Sequence, residues 1–151
     1  MSRIAAVARR IDAIVEAVTP ESATHVGAAR FVRADRPLGP DAASRTFWLA
    51  GDGEANWLGE LSQDREGSLL EETFTLEIAY RVGEQQREIR DAIREDLLTI
   101  QHELLAPDNW LSTDWRCQRR SFRTATLRRS GAGTGAQIIA AMPIILLYRP
   151  F

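Results

Sequence analysis

The residues of this 151-residue chain whose chemistry is most easily named are two histidines, one cysteine and a short glycine series. His25 and His102 could act as metal ligands or general bases, since imidazole titrates near neutral pH. Neither sits in an H-x-x-x-H or H-E-x-x-H spacing, so the plainer reading of both is structural. Cys117 is the sole cysteine, which excludes an intramolecular disulfide and a cysteine-held metal. It falls in an expected strand with no base beside it, as a buried small side chain would. Ser62, Ser68 and Ser121 lack a G-x-S-x-G context. Gly131, Gly133 and Gly135 look superficially like a phosphate-binding loop. Such loops feed a helix whose amides receive the phosphate, whereas a β-like run follows here and the chain has no lysine. A hairpin link is the better reading. No catalytic, metal or cofactor site is expected, and no enzyme class stands out.

Charge layout carries more information. Between Asp52 and Glu72 lie Asp52, Glu54, Glu60, Asp64, Glu66, Glu71 and Glu72 against Arg65 alone. Between Arg116 and Arg129 lie Arg116, Arg119, Arg120, Arg123, Arg128 and Arg129 with no acid. These opposed segments sit in a chain whose net charge is only −2. One reading is pairing within the chain, or two solvated faces. The sharper one is a heterologous interface, an acidic loop of one copy meeting a basic strand of the next. On that reading Asp52, Glu54, Glu60, Asp64 and Glu66 face Arg116, Arg119, Arg120 and Arg123. Nucleic-acid binding by the arginine strand competes with it. At period two, however, Arg116 and Arg120 share one face and Arg119 and Arg123 the other. Only Phe122 offers a stacking ring, where RNA-binding sheets present several. Sequence-specific nucleic-acid recognition is therefore not expected.

Composition sets the frame for these segments. At this length one domain can bury roughly 70% of its unfolded surface. Apolar and charged fractions of 44% and 26% are those of an ordinary globular chain. All 19 basic residues are arginine, and guanidinium forks suit ordered, bidentate contacts. The N-terminus lacks the apolar core of a signal peptide, and no stretch reaches the roughly 18 apolar residues of a membrane span. Synthesis inside the cell and no membrane partner are the expectations.

The elements that must position these residues follow from periodicity. Ile4, Val7, Ile11, Ile14 and Val18 recur at helical spacing, giving a first helix over 3–18 that Pro20 stops. Short strands are expected at His25–Arg33 and Arg45–Leu49. Residues 51–72, rich in glycine and acid, read as a long functional loop. From Thr73 to Val82 apolar and polar residues alternate strictly, with Phe74, Leu76, Ile78, Tyr80 and Val82 on one face. A helix over 84–105 buries Ile89, Ile93, Leu97, Ile100 and Leu104, leaving Glu88, Asp91, Arg94 and Glu95 outside. Strands at Trp115–Leu127 and Ala136–Tyr148 close the chain. The last is apolar on both faces, so it should be central or covered twice, while Pro143 argues for a bulge or an unpaired side. The expectation is a single α+β domain in the order α-β-β-β-α-β-β. Two helices pack on one face of a mainly antiparallel sheet.

With this order in view, the chain resembles the tail terminator (tail completion) proteins of long-tailed bacteriophages. The matching features are the N-terminal helix, the long loop before an alternating strand, and the transition Tyr80-Arg81-Val82-Gly83. The helix around Arg87-Glu88-Ile89-Arg90-Asp91 and the ending Leu146-Leu147-Tyr148 match as well. The resemblance implies a hexameric ring on the head-proximal end of a tail tube, stopping its growth and docking the head connector. Partners would be further copies of the chain, the tail tube protein and the connector, with Trp57 and Leu58 and the acidic loop contacting a neighbouring subunit or the tube. The location would be the virion tail or neck, after assembly in the host cytoplasm. Another neck or adaptor ring subunit of a phage-like particle is the nearest alternative. A small ligand-binding or enzymatic α+β domain is the more distant one, and would need a pocket near His25 or His102.

Overall fold

The computed structural model describes residues 3–21, 28–58, 69–82, 86–110, 117–131 and 135–149. The elements are α1 (Arg3–Ala17), β1 (Val32–Arg33), β2 (Thr46–Leu58), β3 (Leu69–Arg81), α2 (Gln86–Leu105), β4 (Cys117–Phe122), β5 (Thr126–Ser130) and β6 (Gln137–Tyr148). A 3-10 turn at Pro107–Trp110 follows α2. The six strands form one sheet in the order β1-β2-β3-β6-β4, with β5 also on β6. Every pairing is antiparallel except β1 with β2. The α+β class and the element order follow the sequence reading, with one strand more than expected.

The period-two alternation of β3 explains the layering. Phe74, Leu76, Ile78 and Tyr80 stand in register with Ile144, Met142, Ala140 and Ile138 of β6, and all are buried. Against that face lie Val7, Ile11, Ile14 and Val15 of α1 and Ile89, Ile93, Ile100 and Leu104 of α2. Each such side chain contributes about 1.5–3 kcal/mol on leaving water. The opposite face is covered less. Gln137 donates to the Gly39 and Ala42 carbonyls of the β1–β2 connection, while Ala141, Pro143, Ile145 and Leu147 stay half-buried. The doubly apolar β6 is thus central, fully covered on its helix side only.

Three expectations need correction. Of the loop expected at 51–72, both ends are strand, with β2 continuing to Leu58, β3 beginning at Leu69, Ala55 opposite Glu72 and Leu58 opposite Leu69, while 59–68 lie outside the described residues. A register shift between Gly51 and Ala55 absorbs the glycines. Because this half of β2 lies towards a sheet edge, burial does not demand apolar alternation, and the acids and glycines disguise the strand. The strand expected at His25–Arg33 is reduced to two residues, with 25–27 outside the described residues.

The strand expected at Trp115–Leu127 is two strands. Phe122 pairs with Ile144 and Thr126 with Ala141, so three residues oppose two and the ribbon bulges at 123–125. Pro143 lies opposite that bulge. Its carbonyl accepts from the Arg123 N–H at 3.1 Å, so its nitrogen faces the same side, where the ladder is already interrupted. The expected irregularity at Pro143 is therefore met by its neighbour. At the end of β5 Gly131 has φ 81, a conformation that side chains disfavour, and 132–134 of the glycine link lie outside the described residues.

Candidate assembly surface

The arginine segment forms one edge of the sheet. Strand β5 is exposed along its whole length and pairs only with β6 among the described residues. Arg123, Arg128 and Arg129 are exposed on this edge. The two arginines of β4 point to opposite faces. Arg119 shares the face of Leu147 and approaches Glu71 across the sheet at 3.5 Å, an exposed pair worth about 0–1 kcal/mol. Arg120 turns to the helix side, where its guanidinium lies 5.4 Å from the Trp110 ring and donates to the Leu105 carbonyl at 3.2 Å. Arg120 therefore caps the C-terminus of α2 and anchors Trp110, whose indole N–H donates to the Leu104 carbonyl. Of the four arginines assigned to an interface, Arg119 and Arg123 stay at the surface, Arg120 is structural, and Arg116 lies outside the described residues.

The acidic segment divides between two strands, with Asp52 and Glu54 on β2 and Glu71 and Glu72 on the central β3. Asp52, Glu54, Trp57 and Leu58 are residues of β2, with Trp57 opposite Leu70 and 38% exposed. The side chains of Asp52, Glu54 and Leu58, and all of Glu60, Asp64 and Glu66, lie outside the described residues. The last two acids of the segment are engaged within the chain. Glu71 meets Arg119, and Glu72 accepts a hydrogen bond from the Tyr148 hydroxyl at 2.5 Å. Burial raises the Glu72 carboxyl above its ordinary range, and the Tyr148 bond offsets part of that rise. Beyond Phe47, the outer edge of β2 has no strand partner among the described residues, because β1 covers only Thr46 and Phe47. The β2 edge thus carries the sequence positions of Asp52 and Glu54, and the opposite edge carries arginine.

Among the described residues the remaining candidates form no catalytic arrangement. His102 is exposed on α2, and His25 lies outside the described residues. Among the described residues no cluster of ligating side chains could hold a metal. Cys117 is half-buried, and burial pushes its thiol up, away from the reactive thiolate. Phe122 packs against the core, which removes the single stacking ring that the nucleic-acid reading used. One cleft of about 480 Å³ lies inside the turn from Ala34 to Ala42, and another of about 290 Å³ is lined by Asp12, Arg33, Asp35 and Trp48. Neither contains a histidine. No described helix is long and apolar enough to cross a membrane.

One buried group escaped the sequence reading. Arg45, at φ 60, binds the Asp96 carboxylate through Nε at 2.9 Å and Nη2 at 3.0 Å, and both side chains are fully buried. The Tyr80 hydroxyl donates to the same carboxylate at 2.7 Å. The signal was available: Asp96 lies within the buried stripe of α2, three residues after Ile93 and four before Ile100, where an acid needs a partner.

No family model, no curated protein and no solved structure matches the chain.

Proposed function

We propose that the chain is a structural subunit that assembles head-to-tail into a ring, capping the head-proximal end of a phage tail tube and offering a docking surface to the head connector. The observation that carries the assembly part is the segregation of charge. Asp52 and Glu54 fall on β2 and the exposed Arg123, Arg128 and Arg129 on the β4–β5 edge, at opposite ends of one sheet, while Arg119 pairs with Glu71 of the central β3 within the chain. A heterologous contact repeated round an axis satisfies both edges at once. The tail-tube assignment rests on the resemblance of pattern and size described above, which implies six copies. Binding is by surface complementarity, without bond chemistry.

The test is the mass of the purified protein by light scattering across concentration, with electron microscopy of the particles and of tail tubes mixed with it. Discrete rings seated on tube ends are expected. Rings that bind a portal and ignore tubes point to a neck adaptor instead. A single-chain mass at every concentration, with bare tube ends, overturns the proposal.

A further inference from the structure

We propose that β5 of one copy pairs edge to edge with the outer edge of β2 in the next copy, joining their sheets by backbone hydrogen bonds. This deepens the ring reading and rests on it.

Strand direction makes the contact antiparallel. β2 and β6 run the same way and β5 runs opposite to both. Copies related by rotation about an axis along the strands keep those directions, so β5 meets the neighbour's β2 head to tail. Antiparallel pairing gives the straighter, slightly stronger ladder.

The backbone groups needed for pairing point outward on both edges. The Phe47 carbonyl accepts from the Ala34 N–H at 2.8 Å on the outer side of β2, so two-residue periodicity turns Leu49 and Gly51 outward as well. On β6 the Ala136 carbonyl accepts from Val82 on the β3 side, and the Pro143 carbonyl accepts from Arg123 on the other. The odd-numbered residues of β6 therefore face β5. Their partners Thr126, Arg128 and Ser130 bond to β6, which directs the N–H and C=O of Leu127 outward.

Side chains favour this partner over others. The exposed large hydrophobic residues among those described are Val32, Trp57, Leu98, Leu105 and Leu127; of these Trp57 and Leu127 lie on the two edges in question. Arginine on β5 repels a second β5, a common protection of edge strands, yet suits an edge whose sequence carries Asp52 and Glu54.

The experiment compares Leu127→Ala with Leu127→Pro. The first keeps the outward N–H, and the second removes it while sparing the β5–β6 ladder. At matched concentration Leu127→Ala is expected to assemble, whereas Leu127→Pro stays at single-chain mass with an unchanged far-ultraviolet circular dichroism spectrum. Leu127→Pro that assembles like the parent chain overturns strand pairing and leaves the ring intact. A parent chain that never assembles overturns both. Should Leu127→Pro fail to fold, amide exchange of the parent chain decides. Protection of Leu127 and Leu49 that rises with assembly supports pairing, and unchanged protection rejects it.

Discussion

The Arg45 guanidinium holds the Asp96 carboxylate in a two-point ion pair whose side chains are both fully buried. It ties the residue just before β2 to the middle of α2. Arg45 also donates to the Ala28 carbonyl, and its guanidinium lies 5.8 Å from the Phe31 ring. Its left-handed backbone is held by its own N–H, which donates to Ala79 on β3 at 2.7 Å. A pair this dry is retained only with near-complete hydrogen bonding, and Tyr80 supplies the third bond to the carboxylate.

Removing one partner should therefore cost far more than the pair contributes. Asp96→Asn leaves the Arg45 charge buried without its anion and is expected to destabilise by about 3–5 kcal/mol. Tyr80→Phe removes one charge-assisted bond and should cost about 1.5–3 kcal/mol. Urea denaturation of both variants checks this. Loss below about 1 kcal/mol for Asp96→Asn would mean that the site admits water.

Proline tolerance on β6 should alternate with position. Pro143 directs its nitrogen towards the bulge at 123–125, so Pro143→Ala is expected to cost no more than about 1 kcal/mol, chiefly through the freer unfolded chain. Met142 directs its N–H towards β3, and Met142→Pro should cost more than that, because it removes a ladder bond in the sheet centre and leaves a buried carbonyl unpaired, about 1–3 kcal/mol for the carbonyl alone. Equal thermal shifts for the two variants would contradict this assignment of strand sides.

How much was legible depended on burial. Strand β3 alternates because one of its faces meets two helices, so Phe74 to Tyr80 announced themselves. The second half of β2 lies near an edge, where Asp52, Glu54 and Gly53 are compatible with a strand yet give no periodic signal. The placement of Arg119 and Arg120 on opposite faces followed from period two. The capping role of Arg120 did not, because it depends on where α2 ends in space. Asp96 was legible as an anomaly in an apolar stripe, but its partner lies 51 residues away, beyond any local pattern.

Glu72 gives a pH signature with a definite sign. Its folded carboxyl titrates above the ordinary range because burial outweighs the Tyr148 hydrogen bond. Between its unfolded and folded values the native state holds more protons, so this group's contribution to stability falls as pH rises through that window. The penalty is complete above the folded value and absent below the unfolded one. Glu72→Gln keeps an oxygen to accept from Tyr148 and removes the charge. It is expected to raise the melting temperature at neutral pH and to converge with the parent protein in acid. Parallel curves across the whole pH range would show that Glu72 carries no such penalty.

Salt separates the charged part of the assembly from the backbone part. In the proposed ring, the exposed arginines of the β5 edge and the acidic sequence of the neighbour's β2 edge would interact across solvent, where the screening length falls from about 8 Å at physiological ionic strength to about 3 Å at 1 M salt. Raising salt should therefore weaken subunit association and slow its onset, since complementary charge acts strongly on encounter rate. Hydrogen bonds between strand edges and the contacts of Leu127 and Trp57 are far less sensitive to screening. Arg128→Glu, which reverses charge on β5 without altering its outward backbone, should mimic high salt at low ionic strength and lose most of its own salt dependence. Dissociation constants for the two chains, measured by sedimentation across the salt series, test this. A parent ring indifferent to salt, with Arg128→Glu equally stable, would assign the whole contact to strand pairing and apolar burial and remove charge from the account.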